Sequence, residues 1–155
     1  MSQIDITNIP GVVLLPAKVS NDPRGTFVKF FEKNIYDSRG FDPNFDAMAI
    51  STNLEIGTLR GLHFQSAPYE EEKMITCLSG SIFEVIVDLR RNSTAYGKWA
   101  AIEVGEESFL TLCLPKGIAH GYQTLSPGVR ILYGLSSEFN QEHSHTLHYA
   151  DANLG

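Results

Sequence analysis

The chain has 155 residues, of which 43% are hydrophobic and 19% charged. This length suits one domain of roughly 100–200 residues and excludes a two-domain enzyme with its own dinucleotide-binding fold, while the apolar content excludes an intrinsically disordered chain. Eighteen acidic and twelve basic residues give a net charge of -6, which disfavours nucleic-acid binding because phosphate backbones select basic surfaces.

Short runs of β-branched and aromatic residues recur along the chain between clusters of Gly, Pro, Asn, Asp and Ser, a pattern typical of a β-sandwich or barrel. Helix is predicted only as short turns at 32–38 and 69–72. The whole chain, residues 1–155, is predicted to form a single domain. We predict strands within residues 11–19, 26–32, 47–52, 58–65, 73–79, 81–89, 98–104, 109–115, 119–126, 129–136 and 145–149.

The sequence contains no apolar run long enough for a transmembrane helix. Residues 1–25 carry acids and a Pro-Gly turn where a signal peptide would have a basic start and an unbroken apolar stretch. We therefore predict a cytoplasmic protein without a membrane partner. Cys77 and Cys113 lie in apolar runs, which is typical of buried thiols.

Period-two alternation places several polar groups among apolar neighbours. Glu84 shares a strand face with two isoleucines, so that face is either exposed to solvent or lines a cavity. His63 and Gln65 share one face of their strand and Arg60 lies on the other, unless a bulge intervenes. His120 is likewise placed among apolar strand residues. The mouths of small barrels that bind ligands are built in this way.

Two segments resemble the two motifs of the cupin fold: Gly57 followed by His63-Phe64-Gln65, and the run that ends in His120. In metal-binding cupins the first motif reads His-x-His followed by Glu. Gln65 stands at the second histidine and is a poor ligand for a transition metal. A metal-dependent cupin using His63, His120 and Glu70 is therefore an alternative, and a metal-free site is expected.

The residues around these segments sharpen the resemblance, over about residues 10 to 154, to the dTDP-4-dehydrorhamnose 3,5-epimerase family of cupins. The resemblance implies an all-β fold, the cupin double-stranded β-helix or jelly roll, with a few short helical turns. The matching positions are Asp22, Arg24, Gly25, Phe27, Gly57, Leu59 to Gln65, Pro68, Lys73, Val87 to Arg90, Ser93, Tyr96 to Trp99, Leu114, Pro115, Gly117, Ala119 to Gly121 and Tyr133.

The resemblance implies a cofactor-independent epimerase that inverts C3 and/or C5 of a nucleotide-linked 4-keto-6-deoxy sugar, in deoxysugar or surface-polysaccharide biosynthesis. A C–H bond beside a ketone is weakly acidic, so the reaction needs a base, a group that stabilises the enolate and an acid on the opposite face. The resemblance implies that His63 is the base, Tyr133 the acid and Asp151 the carboxylate that orients His63. Lys73 would place its charge near the C4 oxygen or the diphosphate.

The same resemblance implies a set of substrate-binding residues. Arg24 and Arg60 match diphosphate contacts, where a guanidinium suits phosphate geometry. His120 would hydrogen-bond the sugar, and Glu84 is a second carboxylate candidate. Phe27, Lys29 and Gln65 complete the predicted set.

The sequence departs from the family where the nucleotide is recognised. Lys29 stands where the family usually carries a glutamate that faces the base, and Met48 and Ile50 replace polar residues. A dTDP-, GDP- or CDP-linked sugar, or a 4-keto heptose, is therefore expected as substrate. The family continues past Gly155 through a Trp-Pro-bearing tail, whose absence would widen the pocket or hold Asp151 less firmly.

The number of inverted centres is left open by the sequence, and so is a non-catalytic role as a sugar-nucleotide-binding homologue. The resemblance also implies a homodimer formed by exchange of N-terminal strands, for which the apolar segment 11–19 is suited.

Overall fold

Twelve strands and one short α-helix make up the regular structure in the computed structural model, which describes residues 5–41 and 44–154. The helix α1 is Lys33–Ser38, and two 3-10 turns lie at Ile6–Asn8 and Glu106–Ser108. The strands are β1 (Val13–Pro16), β2 (Lys18–Asp22), β3 (Gly25–Lys29), β4 (Ala47–Asn53), β5 (Leu59–Gln65), β6 (Lys73–Ser79), β7 (Ser81–Asp88), β8 (Trp99–Gly105), β9 (Leu110–Leu114), β10 (Ile118–Thr124), β11 (Val129–Leu135) and β12 (Ser144–Thr146).

Two five-stranded antiparallel sheets form the body of the protein. The first has the order β1-β9-β6-β11-β4 and the second the order β12-β5-β10-β7-β8. β2 and β3 pair with each other as a separate hairpin, and the side chains of β2 are all exposed. The two packed sheets confirm the predicted all-β jelly roll.

The core lies between the sheets, where period-two alternation turns one face of each strand inward. Ile75 and Ile131 of the first sheet and Ile82 and Ile86 of the second are at most 3% exposed and belong to one cluster. Burying each such side chain contributes roughly 1.5–3 kcal/mol. Glu84 lies between the two β7 isoleucines and is fully buried, so the structure assigns this face of β7 to the interior.

Two details of the predicted elements are corrected by the structure. Residues 69–72 form no helix; a turn at 67–68 and a bend at Tyr69 lead into an extended segment that enters β6. Three successive glutamates repel each other, and a four-residue segment is too short to nucleate a helix. The predicted strand 11–19 is divided into β1, which pairs with β9, and β2, which belongs to the hairpin. Both cysteines are buried free thiols, as predicted.

A bulge in β5 decides which of its side chains enter the space between the sheets. His120 lies opposite His63 and Tyr122 opposite Arg60, so β5 carries one residue more than β10 over this stretch. Gly61 makes the close approach possible: its φ is +111°, and a Cβ there would lie 2.5 Å from Cα of Gly121. The bulge cancels the expected alternation, and Arg60 and His63 therefore line the same cavity.

Gly61→Ala is expected to lower the free energy of unfolding by about 2–4 kcal/mol, because it combines positive-φ strain with a backbone overlap. Gly57→Ala is the matched control, since Gly57 also has a positive φ (+79°) but open space around it. Its cost should be about 1 kcal/mol. Urea unfolding of both variants measures the difference; equal losses would show that the β5–β10 contact is not tight.

Candidate active site

A cavity of about 500 Å³ opens between the two sheets. The first sheet contributes residues from β4, β6 and β11, and the second contributes residues from β5, β10 and β12. The side chains capable of acid–base or electrostatic chemistry in its lining are Arg60, His63, Glu71, Lys73, His120, Tyr122 and Tyr133.

His63 lies on β5, with its Nδ1 3.2 Å from Oγ1 of Thr146 on β12. Burial lowers the pKa of His63, and the positive charges of Lys73 and Arg60 lower it further. The imidazole is therefore neutral at pH 7 and is able to accept a proton.

Tyr133 lies on β11 in the other sheet and lines the same cavity. Burial raises the pKa of its phenol, and the neighbouring Tyr122 and Glu84 raise it further. Tyr133 therefore keeps its proton at pH 7. The cavity thus has a neutral imidazole on one wall and a protonated phenol on the opposite wall, as required for removing a proton from one face of a carbon and returning one to the other.

Lys73 is the first residue of β6 and supplies a buried positive charge. Its Nζ lies 3.1 Å from Oε1 of Glu71, and the side chains of both residues are only 9% exposed. The Lys73 charge contributes to the lowered pKa values of His63 and His120. An anion that develops in this cavity would be stabilised by the same charge.

His120 and Glu84 form a buried pair next to His63. Nδ1 of His120 lies 2.7 Å from Oε1 of Glu84, and His120 is paired across the strands with His63. Burial raises the pKa of Glu84 well above its usual value and lowers the pKa of His120 well below its own. Both groups are therefore driven to their neutral forms, with one proton in the short hydrogen bond.

Arg60 is held in place by a polar network at the edge of the cavity. Its Nε donates to Oδ1 of Asn53 at 2.7 Å, and Nδ2 of Asn53 donates to the hydroxyl of Tyr122 at 3.1 Å. The Tyr122 hydroxyl also lies 3.1 Å from Oγ of Ser51. This network orients an exposed guanidinium, which suits an anionic group of a ligand.

Gln65 lines the cavity but uses its amide to hold a loop. Its Nε2 donates to the backbone oxygens of Tyr69 and Glu138, and its Oε1 accepts from the backbone nitrogen of Asn140. Both amide hydrogens are therefore used within the protein. Gln65 therefore shapes the cavity wall, and its predicted substrate contact stays a prediction.

Asp151 is not brought to His63. Its Oδ1 accepts hydrogen bonds from the backbone and side-chain nitrogens of Asn153, both at 2.8 Å. These two bonds lower the pKa of Asp151. The Asp151 carboxylate therefore caps a local turn, with both donors supplied by a residue two positions further along the chain. In the described part of the chain, the hydroxyl of Thr146 is the hydrogen-bond partner of Nδ1 of His63.

Three of the residues predicted to contact the nucleotide, Arg24, Phe27 and Lys29, lie on the β2–β3 hairpin, whereas Arg60 lines the His63 cavity. Arg24 pairs with Asp22 at 2.6 Å and its side chain is 90% exposed. Phe27 is 66% exposed, and Nζ of Lys29 lies 3.5 Å from Oε1 of Glu32. Within one chain these side chains do not line the cavity that holds His63.

The alternative metal site is not assembled. Glu70 is outside the cavity lining, and Nδ1 of His120 faces Glu84. Within residues 5–41 and 44–154, no three His, Cys, Asp or Glu side chains are grouped so that they could hold a metal ion.

Sequence reasoning missed Thr146 and the Asn53–Tyr122 network. Thr146 gave no signal, since an isolated threonine in a short strand has many ordinary roles. Tyr122 was detectable only as the neighbour of His120 on one strand face.

The model of the dTDP-4-dehydrorhamnose 3,5-epimerase family matches residues 6–155. The chain belongs to this family. A dTDP-4-dehydrorhamnose 3,5-epimerase from Sinorhizobium fredii is 34% identical over 148 residues, covering 96% of this chain and 76% of that relative. One from Shigella flexneri is 32% identical over 151 residues, covering 96% of this chain and 82% of the relative. The protein is therefore an epimerase, an enzyme of the isomerase class.

Solved structures of the epimerase family share the fold. The enzyme from Bacillus anthracis, with TDP and PPi bound, superposes with a TM-score of 0.89 at 32% identity and covers 92% of this chain and 82% of that chain. The Legionella pneumophila enzyme in complex with dTDP-4-keto-L-rhamnose superposes with a TM-score of 0.89 at 30% identity, and the match covers 97% of this chain and 79% of that chain. No described helix of the present epimerase has the length and apolar character to cross a bilayer.

Glu84→Gln is expected to gain stability relative to wild type as the pH rises above about 4.3, the usual pKa of an unfolded glutamate. The folded protein holds the Glu84 proton to higher pH than the unfolded chain does, so the contribution of Glu84 to wild-type stability falls over this range, by at most about 1.4 kcal/mol per pH unit. The Glu84→Gln variant has no carboxyl group to titrate at this position, so it does not lose this free energy of unfolding. Urea unfolding between pH 4 and 8 measures the difference in free energy.

Glu103→Gln, at an exposed carboxylate on β8, controls for the change in net charge. A Glu84→Gln difference that stays constant with pH would show that Glu84 is ionised in the folded protein.

Proposed function

We propose that this epimerase acts on a nucleotide-linked 4-keto-6-deoxy sugar and inverts C3 and/or C5 in deoxysugar biosynthesis, using one cupin domain and no cofactor. The observation that carries the proposal is the placement of His63 and Tyr133 on opposite walls of one cavity. The neutral imidazole and the protonated phenol have the protonation states that a base and an acid need at pH 7.

In the proposed reaction His63 accepts the proton from the carbon beside the C4 ketone. The C–H bond breaks, and its electron pair forms the C=C bond of an enolate whose charge develops on the C4 oxygen. Tyr133 then donates its proton to the same carbon from the opposite face, which inverts the centre. The enolate carbon is a stronger base than the phenolate, so a phenol with a raised pKa still serves as the donor.

Lys73 and His120 are proposed to act on the C4 oxygen. The Lys73 ammonium is a fixed positive charge on a side chain that is only 9% exposed, so it acts more strongly than it would in water. The hydrogen bond to Glu84 fixes the ring of His120, so that Nε2 of His120 can hydrogen-bond to the C4 oxygen of the sugar. Because Glu71 and Glu84 hold these two groups before substrate binds, little reorganisation is needed in the transition state.

Among the candidate nucleotides, dTDP is proposed in the first place, because two related structures contain TDP or dTDP-4-keto-L-rhamnose. GDP- and CDP-linked sugars are the other candidates, since Lys29 reverses the charge expected next to the base. Arg60 is proposed to bind the diphosphate, with its guanidinium held by Asn53.

We also propose a homodimer in which the β2–β3 hairpin of one copy completes the cavity of the other. The hairpin extends from its own sheets with Phe27 and Arg24 exposed. β4 forms an edge of the first sheet, and its Met48 and Ile50 are 59% and 52% exposed. Exposed apolar edge strands of this kind favour pairing with another chain.

A cytoplasmic location of this protein stays a prediction.

Incubation in D2O with dTDP-, GDP- and CDP-linked 4-keto-6-deoxy sugars tests the function. We expect deuterium in at least one sugar, one label for a single-centre epimerase and two for a 3,5-epimerase, read by mass spectrometry. His63→Ala should slow labelling by about 10²–10⁴-fold, the usual contribution of a general base. Tyr133→Phe should reduce the epimerised product more than the exchange of solvent protons.

His148→Ala removes an exposed histidine outside the cavity and serves as the matched control. A folded wild-type protein that binds these sugars but labels none of them is a binding homologue, and the proposed reaction is then wrong. Labelling by His63→Ala at the wild-type rate would remove His63 from the role of base.

Mixing two inactive variants tests the shared site. One carries Arg24→Ala with Phe27→Ala, and the other carries His63→Ala. After unfolding and refolding together, about half of the dimers are mixed, and each mixed dimer has one intact site, so about a quarter of the wild-type activity should return. No recovery, with mixed dimers demonstrated by native mass spectrometry, would show that each site uses its own hairpin.

A further inference from the structure

Among residues 5–41 and 44–154, Thr146 is the residue whose side chain hydrogen-bonds to the base proposed above. It is the last residue of β12 and is paired in register with His63 of β5, and its Oγ1 lies 3.2 Å from Nδ1 of the ring. Both residues line the cavity. Two backbone hydrogen bonds between Leu62 and Leu147, at 2.8 and 3.1 Å, fix the chain immediately beyond this pair.

We propose that Thr146 is the positioning residue of His63, with its hydroxyl oxygen accepting a hydrogen bond from Nδ1–H and holding the lone pair of the imidazole on Nε2. This inference rests on the proposed function and deepens it. The hydrogen bond on one ring nitrogen decides which tautomer a histidine adopts. A free imidazole side chain favours the proton on Nε2, so a histidine held with its proton on Nδ1 has a distinctive signature.

A hydroxyl supports the base differently from a carboxylate. When His63 takes the substrate proton on Nε2, the ring becomes an imidazolium, and a carboxylate on Nδ1 would stabilise that charge. Thr146 is neutral and does so much less, and Lys73 and Arg60 add repulsion. The base therefore gives up its proton readily, and the acid limb of the rate profile should lie below the usual histidine value of about 6.5.

The competing carboxylate is engaged elsewhere. Asp151 accepts two hydrogen bonds from Asn153 in its own turn. In the described structure, therefore, the hydroxyl of Thr146 and not this carboxylate orients the ring. The chain thus carries a base built for rapid proton release, which suits an enzyme that passes protons in and out of one carbon.

The experiment combines 15N NMR of the His63 ring with the pH dependence of deuterium incorporation. Wild type should carry its proton on Nδ1. Thr146→Val keeps the shape and removes the hydroxyl, so the tautomer should shift towards Nε2–H and kcat should fall about tenfold with KM nearly unchanged. Thr146→Ser should restore both. Thr146→Asp should move the acid limb upward by about one pH unit or more.

His145→Ala is the control for a loosened β12. The His145 side chain lies on the same strand but bonds to Oγ of Ser66 and is outside the cavity lining. This variant should keep the wild-type tautomer and kcat. Thr146→Val with an unchanged tautomer and acid limb would overturn the inference, and so would a His145→Ala variant that reproduces the Thr146→Val loss.

Failure of the proposed function has a different result. Wild type would then label no sugar of the panel, while the NMR spectra of wild type and Thr146→Val would still decide whether Thr146 sets the tautomer of His63.

Discussion

The burial of ionisable side chains between the two sheets sets the protonation states on which the chemistry of this protein rests. Burial is the largest cause of the pKa shifts of His63, His120, Glu84 and Tyr133. In each case it favours the neutral form, because a charge loses its hydration there. One physical effect thus yields a free base, a protonated acid and a neutral carboxyl–imidazole pair in one cavity at pH 7.

The buried positive charge of Lys73 is retained in this setting because Glu71 lies 3.1 Å away. A buried ammonium without a carboxylate would be strongly destabilising. Because Glu71 offsets the charge only in part, Lys73 still lowers the pKa values of the two neighbouring histidines. The site therefore combines the Lys73–Glu71 ion pair and the Arg60 guanidinium with neutral His63, His120 and Tyr133. This arrangement is suited to stabilising an oxyanion when it forms.

The bulge in β5 links the fold to this site. Regular alternation would place Arg60 and His63 on opposite faces of the sheet, and the extra residue at the Gly61–Gly121 contact places both at one cavity. Gly61 is therefore needed for the geometry of the site as well as for the bulge in β5. Short-range sequence patterns cannot detect this, because a bulge is defined by the register between two strands that are distant along the chain.

The amino-acid sequence is enough to predict the all-β class, most strand positions to within a few residues, the family, and the inward face of β7 as one of two possibilities. These follow from period-two alternation and spaced motifs, which are local properties. Tertiary structure decided that β12 places Thr146 at Nδ1 of His63 while Asp151 caps its own turn. It also decided that Gln65 holds a loop and that Arg24 and Phe27 extend away from their own cavity. Each of these outcomes depends on strand pairing and on competition between nearby hydrogen-bond partners, and both are fixed only when the chain has folded.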